Sequence, residues 1–302
     1  MSTSALLASA DLGQQLASAA ADIDELFDDL LVPVAHTGSR LVNAMRYAAM
    51  GGGKRLRPIL VCAAGDLFGV PRARSIRAGL AVESIHVQSL IHDDLPSMDN
   101  DGLRRGKPTV HIAFDEATAV LAGDSLLAAA FGILADEKTH PEGKRRCELV
   151  QELARAAGAW GMAGGQMIDL SPMQADDLDA ITRLERLKTG ALISWSVDAG
   201  AILGGAGSDA RLCLRRYAQD LGLAFQIADD LLDSCGDEEA VGKRLRKDQR
   251  QGKHTFVSLL GDARARQQAQ MLAEQAIDHL HAFDARAELL RAIAHFAVSR
   301  DR

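Results

Sequence analysis

Apolar residues recur at three- and four-residue intervals along most of this chain, the spacing that lines one face of an α-helix. The pattern predicts helices at about 12–31, 38–50, 56–69, 74–95, 115–136, 143–158, 176–203, 208–235, 254–280 and 284–299. No Val/Ile-rich stretch alternates as a strand does, so the predicted fold class is all-α. Breaks fall at Gly51-Gly52-Gly53, Pro71, Asn100 to Pro108, Thr139 to Gly143, Ser171-Pro172 and Gly204 to Ser208. No solenoid-period repeat is visible, and residues 1–302 read as one all-helical domain. The charged run GDEEAVGKRLRKDQRQGK (236–253) is the one long loop-like connection; loops of that length inside compact folds are usually functional or disordered, and its place directly after an acidic cluster favours function. It supplies Lys243, Lys247 and Lys253.

Composition narrows the picture. Of the 302 residues 47% are hydrophobic, enough for a large core, while aromatics make up only 4%, which with abundant Ala suits closely packed helices. A net charge of -7 argues against a nucleic-acid partner, whose phosphates demand clustered Lys and Arg. Cys62, Cys147, Cys213 and Cys235 are scattered without a Cys-x-x-Cys pair and are expected to be reduced thiols. The N-terminus lacks a basic start and Asp11 interrupts its apolar stretch, so no signal peptide is expected. The apolar run Ala117 to Ala135 contains Asp124 and Ser125, so no stable membrane insertion is expected either, and the location is expected to be cytoplasmic.

Two acidic clusters carry the candidate chemistry. In LGLAFQIADDLLD, Asp229 and Asp233 stand four apart on one face of an apolar helix, with Asp230 adjacent. Carboxylates so placed repel one another and lose hydration, a cost usually offset by a metal or by cations. In IHDDLPSMDNDGLRRGKP, Asp93 and Asp99 are six apart, about 240° around an ideal helix. Pro96 must break or bulge that helix, and the distortion can return Asp99 toward Asp93. Arg104, Arg105 and Lys107 follow at once. Dense acid followed by dense base is what a magnesium–diphosphate site needs: carboxylates hold hard cations, the cations bridge phosphate oxygens, and guanidinium forks take the rest. Lys54 and Arg57 in GGGKRLRP stand at a loop-to-helix start, a natural anion site, and His86 lies two turns before Asp93 on the same face.

The strings GGKRLRP, SLIHDDLPSMDNDGLRRGKPTVH, AVLAGDSLL, GMAGGQMIDL, KTGALI, GLAFQIADDLLD and GKHTF occur in this order. Together they resemble a trans-prenyl diphosphate synthase of the bacterial farnesyl or geranylgeranyl type, from about Arg40 to the C-terminus. The resemblance implies an isoprenoid-synthase-like helical bundle around a deep central cavity, assembled as a homodimer, with isopentenyl diphosphate and an allylic diphosphate as substrates. It implies that Asp93, Asp94 and Asp99, with Asp229, Asp230 and Asp233, hold magnesium, three ions per active site. Arg104, Lys188, Lys243 and Lys253 match contacts to the allylic diphosphate, and Lys54, Arg57, His86 and Arg105 match the isopentenyl pocket. Thr189 and Gln226 match groups whose oxygens lie near the developing allylic cation; Lys188, Thr189 and Gln226 are the candidate catalytic residues.

Two positions depart from that family's pattern. Farnesyl synthases of this type carry an aromatic residue five positions before the first aspartate, where this chain has Gln88, followed by Ser89; the expected product is therefore farnesyl diphosphate with a substantial geranylgeranyl component. Gly102 stands where relatives often have a further Asp. The rival readings are a terpene cyclase of the same fold, which would not need the isopentenyl pocket, and a non-catalytic subunit of a heteromeric synthase, which would be expected to lack aspartates or the arginine pair.

Overall fold

Helices account for most of residues 3–35, 39–50, 52–171, 177–235 and 254–299, the parts of the chain that the computed structural model describes. In order these are α1 (Thr3–Ala35), α2 (Arg40–Ala49), α3 (Leu56–Asp66), α4 (Arg72–Asp93), α5 (Val110–Ala113), α6 (Glu116–Ala135), α7 (Gly143–Ala157), α8 (Met162–Asp169), α9 (Leu178–Lys188), α10 (Gly190–Gly204), α11 (Ser208–Cys235), α12 (Phe256–Leu260), α13 (Asp262–Asp278) and α14 (Glu288–Ser299). A 3-10 turn at Ala285–Ala287 precedes α14.

Helices α3, α4 and α10 form the centre. Nearly every residue of α10 is buried, because α3, α4, α7 and α11 all pack against it. A helix apolar on all sides belongs inside a bundle, and small residues let its backbone approach its neighbours. At Gly200 a Cβ would lie 2.5 Å from the backbone nitrogen of Gly65, so α10 and α3 touch almost main chain to main chain. The Ala- and Gly-rich composition has its physical reason there. On the far side of α4 lies α6, long and apolar enough by length and composition to cross a membrane; 44% of that span is buried within the fold. Side chains fix the helix starts: Asp115 accepts from Thr118 N–H at the start of α6, and Asp177 from Ala180 N–H at the start of α9. On α11, Arg211 takes both oxygens of Asp198 on α10 (2.9 and 2.6 Å) and one of Glu148 on α7, tying three helices together.

The structure departs from the sequence-based expectation in several places, the four-residue α5 among them. The helix expected over 176–203 is two, ending at Lys188 and resuming at Gly190; Thr189 keeps near-helical dihedrals, so the apolar period runs through the break unseen. The helix expected over 254–280 is divided at Gly261, whose φ of +75° only glycine adopts freely. Helix α8, not expected, is short and contains Gly164 and Gly165, which dilute its pattern. Finally, the expectation of no strands misses a minimal antiparallel pair, β1 (Leu103–Arg104) with β2 (Lys107–Pro108). Its turn residues Arg105 and Gly106 both have positive φ (52° and 75°), the geometry that matches the twist of a tight hairpin.

Candidate active site

Helix α4 ends at Asp93, and the chain then doubles back. The N–H of Asp99 donates to the carbonyl of Asp93 at 2.8 Å, and that of Asp101 to the carbonyl of Asp94 at 3.2 Å. Pro96 thus ends the helix as its missing donor requires, and the turn brings Asp99 back beside Asp93. Burial pushes the Asp93 carboxyl up to about 6; Asp99 and Asp94 add to the rise, while Lys188 and Arg104 oppose it. Asp94 is 3% exposed and accepts a bidentate pair from Arg104, at 2.7 and 2.9 Å. The first aspartate cluster therefore divides in this structure: Asp93 faces the cavity and Asp94 anchors Arg104.

The hairpin after that turn aims the two arginines. Arg105 sits at its tip in a left-handed conformation, with its guanidinium laid across Gly53, where a Cβ would lie 2.8 Å from a guanidinium nitrogen. The GGGKRLRP segment contains arginines of two kinds. Arg55 is 3% exposed and bonds Glu83 (2.8 Å), Asp24 (2.7 Å) and the carbonyl of Ala49, so its charge is consumed by the fold. Arg57 lines a cavity instead, with its Nε buried and without a protein partner. Burial lowers its pKa, partly offset by Glu83 and Asp229. His86 is held well below the usual imidazole range by burial and by Arg57, Arg105, Arg104 and Arg55, and so is neutral at pH 7. Neutral His86 among guanidinium groups makes a pocket short of negative charge. Lys54 is exposed, with its ammonium 5.6 Å from the ring centre of Phe296, and is not among the residues lining this cavity.

The opposite wall comes from α8 to α11. Lys188, at the end of α9, donates to Asp169 of α8 at 2.7 Å. Burial opposes its charge, but Asp169, Asp93 and Glu185 outweigh burial and raise its pKa. Thr189 donates to Gln226 Oε1 (3.2 Å), and Gln226 donates in turn to Asp230 (3.0 Å), whose other oxygen accepts from the N–H of Phe256 (3.0 Å). Asp230 thus positions Gln226 and the start of α12, while Asp229 and Asp233 lie half-buried a turn apart on α11. Lys243 and Lys253 lie outside the described residues.

Between these walls runs a cavity of about 400 Å³. Arg57, His86, Asp93, Lys188 and Thr189 line its polar part; Leu90, Met98, Met162, Met167 and Leu170 line the rest, with Gln88, Ser89 and His92 along α4. Three groups went unnoticed in the sequence. Asp169 neutralises Lys188, and Glu185, pushed up to about 8 mainly by burial, lies within reach of Thr189. Gln166 is 8% exposed, lines the cavity, and has neither amide atom paired. The string GMAGGQMIDL holds two of the three, and its polar residues three apart amid apolar ones were the available signal.

The donors suit magnesium. They are hard carboxylate oxygens, and burial, with Asp99 and Asp94 nearby, makes the charge on Asp93 costly in the absence of a cation. Among the described residues no three His, Cys, Asp or Glu side chains converge closely enough to enclose an ion.

Comparison with known proteins agrees with this geometry. Residues 39–294 match the family model for polyprenyl synthetase. Farnesyl diphosphate synthase of Escherichia coli (strain K12) is 42% identical over 97% of this chain and 100% of its own. Geranylgeranyl diphosphate synthase of Cyanophora paradoxa is also 42% identical, over 86% and 88%. The apo crystal structure of an FPP/GFPP synthase from Zymomonas mobilis, 52% identical, superposes with a TM-score of 0.87 over 96% of this chain and 99% of that one. With the divalent-metal requirement and isoprenoid diphosphate substrates that this membership implies, the chain belongs to the polyprenyl synthetase family.

Proposed function

We propose that this chain is a short-chain trans-prenyltransferase that condenses isopentenyl diphosphate with dimethylallyl or geranyl diphosphate. Its product is farnesyl diphosphate with a substantial geranylgeranyl component. The observation that carries the reading is the meeting of Asp93, Lys188, Arg57 and His86 on one cavity whose remaining walls are largely apolar. That arrangement suits a molecule with an anionic head and a hydrocarbon tail.

The residues divide by task. Arg57, His86, Arg105 and Lys54 take the isopentenyl diphosphate; Arg104 and Lys188, with Lys243 and Lys253, take the allylic one. Asp93, Asp94, Asp99, Asp229, Asp230 and Asp233 serve three magnesium ions, the paired Asp94 and Asp230 by orienting Arg104 and Gln226. When bound, magnesium neutralises the diphosphate oxygens and so favours ionisation of the allylic carbon–oxygen bond. Thr189 and Gln226 hold oxygen dipoles near the allylic C1, and the apolar walls exclude water. The isopentenyl double bond forms the new carbon–carbon bond at C1, the allylic oxygen leaves with diphosphate, and a proton passes from isopentenyl C2 to that diphosphate. No protein nucleophile is needed; positioning and electrostatics carry the rate.

One helical domain performs this in a cytoplasmic homodimer. The outer face of α6 supports pairing: Ile112 just before it, and Val120 and Leu121 on it, are 59%, 40% and 55% exposed. The test is chromatography of products after incubation with isopentenyl diphosphate, each allylic starter and magnesium, with light scattering for assembly. Farnesyl diphosphate that disappears on chelation is expected. Cyclic hydrocarbon from geranyl or farnesyl diphosphate alone, or no product, would refute the reading.

A further inference from the structure

The cavity's deep end along α4 is held by a chain of hydrogen bonds. Gln88 and His92, four residues apart and so on one face of α4, both line the cavity. His92 Nε2 lies 3.1 Å from the carbonyl oxygen of Val120 on α6. A carbonyl can only accept, so Nε2 carries the proton and Nδ1 is the acceptor. Gln88 Nε2 stands 3.1 Å from that Nδ1 and donates to it. The chain therefore runs from Gln88 through the ring to the backbone of α6, and leaves Gln88 one fixed rotamer.

The ring fits because α6 has a glycine opposite it. A Cβ at Gly123 would lie 2.1 Å from His92 Nε2 and 2.5 Å from Cδ2. Gly123 is not among the glycines with positive φ, so the reason for a glycine there is space, not conformation. Any larger residue drives the ring off Val120 and with it the partner of Gln88.

We propose that His92 is a positioning residue for product length: it locks Gln88 as a fixed polar end wall, and Gly123 makes room for the lock. The inference rests on the prenyl-transfer reading above. Gln88 precedes Asp93 by five residues, about 7.5 Å along the helix axis, so a growing tail leaving the Asp93 end runs toward it. For the tail to pass, the amide must leave Nδ1, and the passing hydrocarbon then covers the two half-buried groups without giving either a partner, which opposes further elongation. Released from the ring, Gln88 regains its rotamers and yields to the tail.

The test is the ratio of twenty- to fifteen-carbon product from the purified homogeneous enzyme with magnesium, isopentenyl and geranyl diphosphates. Gly123→Ala, Gln88→Leu and His92→Leu should each raise the ratio roughly five- to tenfold, the loss of one neutral hydrogen bond. His92→Asn, which keeps an acceptor for Gln88, should stay nearer the wild type. The Gln88→Leu/His92→Leu double variant should show no more than either single change, because both break one chain. Gly123→Ala should leave the rate of the first condensation within about twofold, since it touches no substrate group. Unchanged ratios in active variants, or effects that multiply in the double variant, would overturn the role of His92. No prenyl product from the wild type would overturn the function itself. Should Gly123→Ala fail to fold, the Gln88–His92 cycle decides alone.

Discussion

Replacing Asp93 with Asn removes a charge that the metal-free fold holds at a loss. Burial pushes this carboxyl from 3.8 up to about 6, which corresponds to about 3 kcal/mol. Because the folded-state value lies above the unfolded one, the contribution to stability is complete below about pH 4 and is lost as pH rises through 6. Above about pH 7 the ionised carboxylate costs about 3 kcal/mol, and about 2 of those arise between pH 4.5 and pH 8. Asn keeps the shape without the charge, and the rise to about 6 is already net of the attraction of Lys188. Without metal, the Asp93→Asn variant should therefore melt about 6–9 °C above the wild type at pH 8, at roughly 2–3 °C per kcal/mol for a chain of this size. The gap should fall to about a third of that at pH 4.5. Adding magnesium with inorganic diphosphate should stabilise the wild type far more than the variant and close the gap, because carboxylates must be ionised to bind the cation. Differential scanning fluorimetry at both pH values reads all three quantities. A melting difference that does not change with pH would refute the account of Asp93 as a desolvated carboxylate held for a cation.

Other consequences separate the fold from the site. Arg55→Ala leaves buried Glu83 without its partner and should cost about 3–5 kcal/mol by denaturant unfolding. Arg57→Ala, two residues away, should leave stability nearly unchanged and raise the KM for isopentenyl diphosphate at least tenfold. His86→Ala should share that bias, while Lys188→Ala should act chiefly on the allylic substrate; steady-state kinetics with each substrate varied in turn would expose equal effects as one undivided basic patch. Gln88→Tyr fills the deep end of the cavity and should move the product mixture toward farnesyl diphosphate, as liquid chromatography of the chain lengths would show.

Periodicity revealed the helices because a helix buries side chains in a register that sequence preserves. It missed the break at Thr189 because near-helical dihedrals leave that register intact, and it missed the hairpin at 103–108 because two residues per strand carry no alternation. The first aspartate turn was legible for a covalent reason: Pro96 lacks the N–H that a continuing helix requires. The spacing of Asp229 and Asp233 was legible for the same kind of reason, being local to one helix.

What was not legible is which charge each charge meets. Arg55 and Arg57 are the same residue type two positions apart, yet one is neutralised by Glu83 and Asp24 and the other faces a cavity. Nothing within GGGKRLRP distinguishes them, because the deciding partners lie on α1 and α4. Likewise Asp94 and Asp230 look like metal ligands in their strings, while tertiary contacts give them Arg104, Gln226 and the N–H of Phe256. By itself the sequence determined the helical class, the aspartate clusters and the kind of substrate they suit, since these follow from composition and from spacings of a few residues. Only the tertiary structure decided which acids and bases stay available for ligands, because desolvation and ion pairing are set by neighbours tens to hundreds of positions away.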